Sequence, residues 1–190
     1  DNSKMAVHDR VFSRFLYLFG AVVSDKTKNK VIVPEWILES KNKEIKKRFL
    51  NGLFDSELNK ISKVKTRFSY RSLKFYNSKT IDKVNDGIYF LNQIKKLLDD
   101  FEIKTSEVRL DRRYKRKRDN STMQQLYLVI YSNYINLYNF ITKIGFLHNS
   151  KRRESALKVL KPVKYLALLE EKKIKQYNKV LILRKKGLSA

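Results

Sequence analysis

The side chains able to do chemistry are few in kind. The 190-residue chain has no Cys, and its two His, His8 and His148, stand far apart. Cysteine-based zinc sites, disulfides and thiol catalysis are therefore excluded. Any metal must be held by carboxylate oxygen, the donor that hard divalent cations take. Carboxylates are scarce too, with 19 Asp and Glu against 43 Lys and Arg and a formal net charge of +24. Within that basic background one short stretch, FLNGLFDSEL at residues 49–58, sets Asp55 and Glu57 among apolar residues at helical spacing, with Lys60 just beyond.

A positive excess of this size makes the folded chain repel itself unless a polyanion is near. The charge runs through every segment instead of collecting on one amphipathic helix or in a tail. The expected partner is therefore nucleic acid, double-stranded DNA or else RNA, and not a membrane surface. No apolar run approaches the ~18 residues of a membrane span, and no basic-then-apolar leader opens the chain, so it reads as a soluble, cytoplasmic protein. With 42% hydrophobic and 12% aromatic residues there is enough apolar material for one main folded domain.

The elements that must position these groups follow from periodicity. Residues 5–19 repeat apolar side chains every three to four positions, which predicts a helix ending near Gly20. A polar connection leads to an extended VIVP at 31–34, and Pro34 suits the first turn of a short helix with Trp36 and Ile37. Ser40 or Asn42 caps the next helix, which carries Ile45, Phe49, Leu50, Leu53 and Phe54. Over residues 60–76 the spacing changes to two, which predicts a β-hairpin with basic Lys63, Lys65, Arg67, Arg71 and Lys74 on one face. A helix behind a Ser78 cap follows, from Ile81 to Phe101. The segment 107–117 then places Arg109, Arg113, Lys115 and Lys117 on one side of a strand, with Val108, Leu110 and Tyr114 on the other. Asp119-Asn120-Ser121 is the turn, 126–131 the returning strand, and helices are expected over 135–146 and 150–160. The fold class is α+β.

These residues carry a resemblance. Leu50-Asn51-Gly52-Leu53-Phe54-Asp55-Ser56-Glu57-Leu58 resembles the motif of the LAGLIDADG homing endonucleases, in the GLFDAEG form found in archaeal proteins and inteins. The flanks resemble the same family: FSRFLYLFGAVVSDKTKNKVIVPEWILES before the motif, LKFYNSKTIDKVNDGIYFLNQIKKLLDDFEI after it, then YLVIYSNYINLYNFITKIGFLHNSKRRESALKVL. The likeness covers about residues 11–161. It implies an αββαββα half with a curved antiparallel sheet, at 41–162, plus C-terminal helices. Residues 1–40 would be the connecting helix and linker from a preceding half. Residues 163–190 would be a helical tail that resembles the start of a helix-turn-helix with its turn at Gly187-Leu188-Ser189.

The resemblance also implies roles. Gly52 would let two motif helices approach closely, and Glu57 would be the acid that binds Mg²⁺ at the scissile phosphate, where the ion activates water. Lys60, three residues on, would offset phosphate charge. The alternating cations Lys63, Lys65, Arg67, Arg71, Lys74, Arg109, Arg113, Lys115 and Lys117 would line a saddle in the major groove. A second motif is expected about a hundred residues upstream, from the same longer chain or a partner chain, and Asp25 is expected in the connecting loop. Leu58 stands where the family has Gly or another small residue, and leucine takes positive φ less cheaply than glycine. The alternative expectation is a non-catalytic relative that binds RNA or DNA as a splicing cofactor or regulator.

Overall fold

The computed structural model describes residues 9–22, 24–64 and 69–185. The chain is α+β, in the order α1 Arg10–Leu18, α2 Glu35–Leu38, α3 Lys43–Glu57, β1 Leu73–Thr80, α4 Val84–Asp99, β2 Arg109–Lys115, β3 Thr122–Ile130, α5 Tyr134–Asn139 and α6 Ser150–Lys185. The three strands form one antiparallel sheet in the order β1-β3-β2. No described helix is long and apolar enough to cross a membrane.

Alternation in β1 and β3 decides which sheet face meets the helices. Leu73 and Phe75 pair with Ile130 and Leu128, and all four are buried. Lys74, Tyr76 and Ser78 lie on the other face with Val129, Tyr127 and Gln125. The inner face is covered by α4, through Phe90, Leu91, Ile94, Leu97 and Leu98, and by α3 through Leu50 and Phe54. The Phe54 ring stands 5.7 Å from Phe75 and 6.0 Å from Phe140, so the motif helix, the sheet and the turn after α5 share one core. Gly87 permits the close seat of α4, since a Cβ there would lie 2.4 Å from a Leu126 methyl and 2.9 Å from the Lys79 stem.

Helix α3 begins on Asn42, whose Oδ1 accepts from the Glu44 N–H at 2.9 Å, and Glu44 in the first turn suits the helix dipole. It ends at Leu58 with φ −81° and ψ 147°, and the Leu58 side chain is fully buried. The exit from the helix thus needs no left-handed residue. Leu58, where the resembled motif carries glycine, is a buried extended leucine that introduces no backbone strain.

Three sequence expectations are corrected. Among the described residues, the hairpin expected over 60–76 shows a Lys63–Tyr70 bridge with two flanking bonds, Val64 N–H to Ser69 O and Arg71 N–H to Ser62 O, and its second strand continues to Thr80. Ser78 therefore sits within β1 and caps nothing. A short 3-10 turn, Ile81–Lys83, intervenes before α4. The helix expected over 150–160 and the helical tail expected from 163 are a single 36-residue helix running through Pro162. Buried Val163 and Ala167 hold it to the body just past the proline. The turn expected at 187–189 lies outside the described residues, as does His8.

Candidate nucleic-acid interface

Glu57 is the last residue of α3, with its carboxylate partly open to solvent. Its partner is Lys26, whose Nζ lies 2.9 Å from Oε1. Lys26 belongs to a loop, residues 24–30, fastened from two sides. From beneath, the buried Lys79 of β1 donates to Lys26 O at 2.6 Å and Asn29 O at 2.7 Å. Burial pushes the Lys79 ammonium pKa down, and the nearby Asp86 and Asp25 pull it back up. From the β2–β3 turn, Arg116 donates to Asp25 at 2.8 Å and to Asp119 at 2.6 Å, while Lys28 pairs with Asp119 at 2.7 Å and Arg118 with Asp25 at 2.9 Å. Hydrogen bonds from Thr27, then Arg116, hold the Asp25 carboxyl well below the usual range. Arg116, Lys28 and Ser121 do the same for Asp119. Asp25 thus lies in a loop and is committed to its clamp.

Asp55, two residues before Glu57, points inward. Its carboxylate accepts from the backbone N–H of Leu147 at 3.1 Å and of His148 at 2.6 Å. Its carbonyl accepts from Asn149 at 3.1 Å and from Arg152. Asn51, one turn earlier, donates to Ile144 O at 2.9 Å. This side of α3 is a structural seam to the start of α6. Glu57 is left as a single solvent-facing carboxylate, and no cluster of three or more His, Cys, Asp or Glu suited to a metal occurs among the described residues. Lys60 is exposed and has no partner among the described residues.

The opposite side of α3 is exposed at Ile45, Gly52 and Ser56, while Phe49 and Leu53 pack partly against the core. Ile45, Phe49, Gly52, Leu53 and Ser56 run along it at three- and four-residue spacing, none of them buried. A Cβ on Gly52 would meet nothing within 4 Å.

The cations predicted to share one sheet face are divided. Lys74 and Arg109 lie on the outer face, Arg109 opposite Tyr127. A β-bulge between Leu110 and Arg113 then reverses the alternation, so Arg113 and Lys115 pair with Gln124 and Thr122 on the other side. The Arg113 guanidinium accordingly donates to Gln124 at 3.0 Å. Lys63, Arg71 and Lys117 are exposed in connecting segments. Lys65 and Arg67 fall outside the described residues. The bulge brings in a residue not singled out from the sequence, Arg112, which lies 5.9 Å from the Tyr114 ring centroid. Lys74 Nζ stands 4.9 Å from the Tyr127 ring centroid, and Tyr127 packs 5.7 Å from Tyr76. The outer face is thus an aromatic row flanked by cations.

Sequence reasoning missed Lys26, Lys79, Asp55's inward bonds and Arg152. Their partners lie 31 to 97 residues away, so no local spacing signals them.

No protein-family model matches the chain, and no solved structure matches it. The chain is similar to part of the DNA-directed RNA polymerase subunit Rpo1N of Methanocaldococcus jannaschii, 31% identical over 141 residues that make up 74% of this chain and 10% of that protein. It is also similar to part of the replication factor C small subunit of the same organism, 24% identical over 147 residues, 75% of this chain and 7% of that protein. The chain therefore spans about a tenth or less of the curated relatives it matches.

Proposed function

We propose that the chain binds double-stranded DNA across the outer face of its sheet and forms one half of a LAGLIDADG-type homing endonuclease. Glu57 would supply one carboxylate of a two-half centre for phosphodiester hydrolysis. The observation that carries this reading is the outer face, where Lys74, Arg109 and Arg112 flank Tyr76, Tyr127 and Tyr114 on a chain of net charge +24. Such a face combines phosphate attraction with side chains that bond base edges. The comparisons support it indirectly. Two proteins with different names share this segment as a small fraction of their length. A self-contained module carried within different hosts accounts for that sharing better than polymerase or replication-factor chemistry does.

The second half, from the same longer chain or a partner chain, would seat on the partly exposed side of α3, where Gly52 leaves room for a close helix. Glu57 alone does not make a Mg²⁺ site, because that ion takes an octahedral oxygen shell. An opposing carboxylate is required before metal chemistry enters. Lys26 is no obstacle, since an exposed ion pair is worth only about 0–1 kcal/mol.

The test compares the chain and Glu57→Gln on supercoiled DNA with random inserts and Mg²⁺, with and without a second motif-bearing half. The parent should bind alone, cut only when paired, and lose cutting but not binding with the substitution. Cutting that survives Glu57→Gln removes Glu57 from the centre. Affinity that stays constant from about 50 to 200 mM salt, where six to ten phosphate contacts cost about 10³–10⁵, removes the DNA face.

A further inference from the structure

Beside Glu57 a cleft of about 310 Å³ opens along the edge of β1 that no other described strand of the sheet covers, between the end of α3 and the 24–30 loop. That is near the lower end of the volumes that hold small ligands. Its apolar lining is Val31, Leu53, Phe75 and Phe90, and its polar lining includes Asn77, Ser78 and Gln125, with the Lys26–Glu57 pair at one side. The side chains of Asn77, Ser78 and Gln125 are half-buried and make no hydrogen bond among the described residues.

The backbone adds further groups that have no partner among the described residues. Thr80 turns its N–H away from β3, to Thr27 O at 3.1 Å. In an antiparallel ladder the residues two and four positions earlier turn the same way, so Ser78 and Tyr76 direct their N–H and C=O into the cleft. The free edge is short. Thr27 closes it at Thr80, and the Lys63–Tyr70 bridge occupies the approach to its other end. This leaves too little open ladder for an added peptide strand, but enough for a small planar ligand.

We infer that this cleft is a nucleobase pocket. Val31, Leu53, Phe75 and Phe90 contact one ring face from the helix side, the Asn77 amide and the Tyr76 and Ser78 peptide groups bond the ring edge, and Gln125 stands at the outer rim. Tyr76, Ser78 and Gln125 also belong to the outer sheet face, so a base that leaves a strand bound there reaches the cleft directly. Supply from a polymer rests on the nucleic-acid reading above; the pocket's affinity for a free nucleoside does not. Extruding a base is cheapest from single strands and mismatches.

The experiment uses the full chain, isotope-labelled, and Ser78→Tyr, which fills the cleft with a residue favoured in strands. In one arm free nucleosides are titrated while the side-chain amides of Asn77 and Gln125 are followed by NMR. In the other arm, oligonucleotides carrying 2-aminopurine, single-stranded or mismatched, are bound and their emission is read. Saturable amide shifts with a nucleoside, weakened about tenfold or more in Ser78→Tyr, support the pocket with a free ligand. Silence with nucleosides but an emission change that Ser78→Tyr abolishes, with each protein held at a concentration that saturates the strand, supports it with a base drawn from the polymer. If strands bind while neither probe responds, the pocket is overturned and the DNA face stands. If nucleosides bind while no polymer does, the pocket stands and the DNA face falls. Protection of the Tyr76 and Ser78 amides by an extended peptide, with nucleosides silent, overturns the pocket. The wild-type titration needs no variant, so misfolding of Ser78→Tyr cannot mask the answer.

Discussion

Replacing Gly52 by alanine should strengthen folding and weaken pairing. Gly52 is the tenth of the fifteen residues of α3, where a glycine costs about 0.8–1 kcal/mol relative to alanine. The usual counterweight is a clash, and here the added methyl meets no atom within 4 Å. It also points away from the seam made by Asn51 and Asp55, so no hydrogen bond is lost. Gly52→Ala should therefore raise the unfolding free energy by about 0.5–1 kcal/mol and the melting temperature by about 2–4 °C in a chain of this size. Urea denaturation should show a higher midpoint with an unchanged slope. A second helix seated close on this side would meet that methyl, so the same variant should bind the second half less tightly. Opposite signs in the two assays are the signature. Destabilisation of the isolated chain by more than about 1 kcal/mol would refute the reasoning, because this face of α3 would then already be filled.

Asp55→Ala leaves the N–H groups of Leu147 and His148 without their acceptor and should cost about 2–4 kcal/mol in urea denaturation, whereas Asp55→Asn keeps one acceptor oxygen and should cost less. Lys79→Met removes a desolvated charge together with its two bonds to the 24–30 loop; the gain and the loss oppose, so global stability should move by less than about 1 kcal/mol. Amides of residues 25–30 should nevertheless exchange faster, as measured by hydrogen exchange. The carboxyls of Asp25 and Asp119 are depressed, so the unfolded chain binds their protons first and stability falls as pH drops below about 4. Arg116→Gln lets both carboxyls rise toward their ordinary range, so the dependence between about pH 4 and pH 2 should flatten in acid-titrated melting curves.

How far the sequence could be read depended on whether each segment's pattern was pinned by burial. Helices α3 and α4 were legible because Leu50, Phe54, Leu91, Ile94 and Leu98 repeat at helical spacing and are all buried. The turn at 119–121 was legible because Asn120 takes φ +54°, which asparagine tolerates. Strand β2 was legible as a strand but not in register. All seven of its residues are exposed, so no apolar position marks where the bulge inserts its extra residue. The basic stripe was therefore assigned to one face when it spans two. Ser78 was misread because serine serves helix caps and strands alike. The pairing of Ser78, Lys79 and Thr80 with Gln125, Gln124 and Met123 of β3, far along the chain, shows that the strand runs on.

The candidate acid shows the same division. That Glu57 ends the motif helix was readable, and its resemblance to a metal-binding position came with the motif. What holds it in place was not readable, and this bears most on what the residue can do. On one side Leu58 is buried and extended, which fixes the chain's exit from α3. On the other, Asp55 and Arg152 tie the last turn to the start of α6. Lys26, the group nearest the Glu57 carboxylate, comes from a loop held by Lys79 and Arg116. Glu57 is thus anchored at its backbone, while its carboxylate stays partly open to solvent beside the exposed Lys26. A group that must accept an ion from a partner half needs both properties, since a loose backbone would misplace the oxygen and a buried carboxylate could not reach the ion. Leucine at position 58, where the resembled motif carries glycine, anchors the exit from α3 through core burial without backbone strain, so it does not by itself count against the proposed centre.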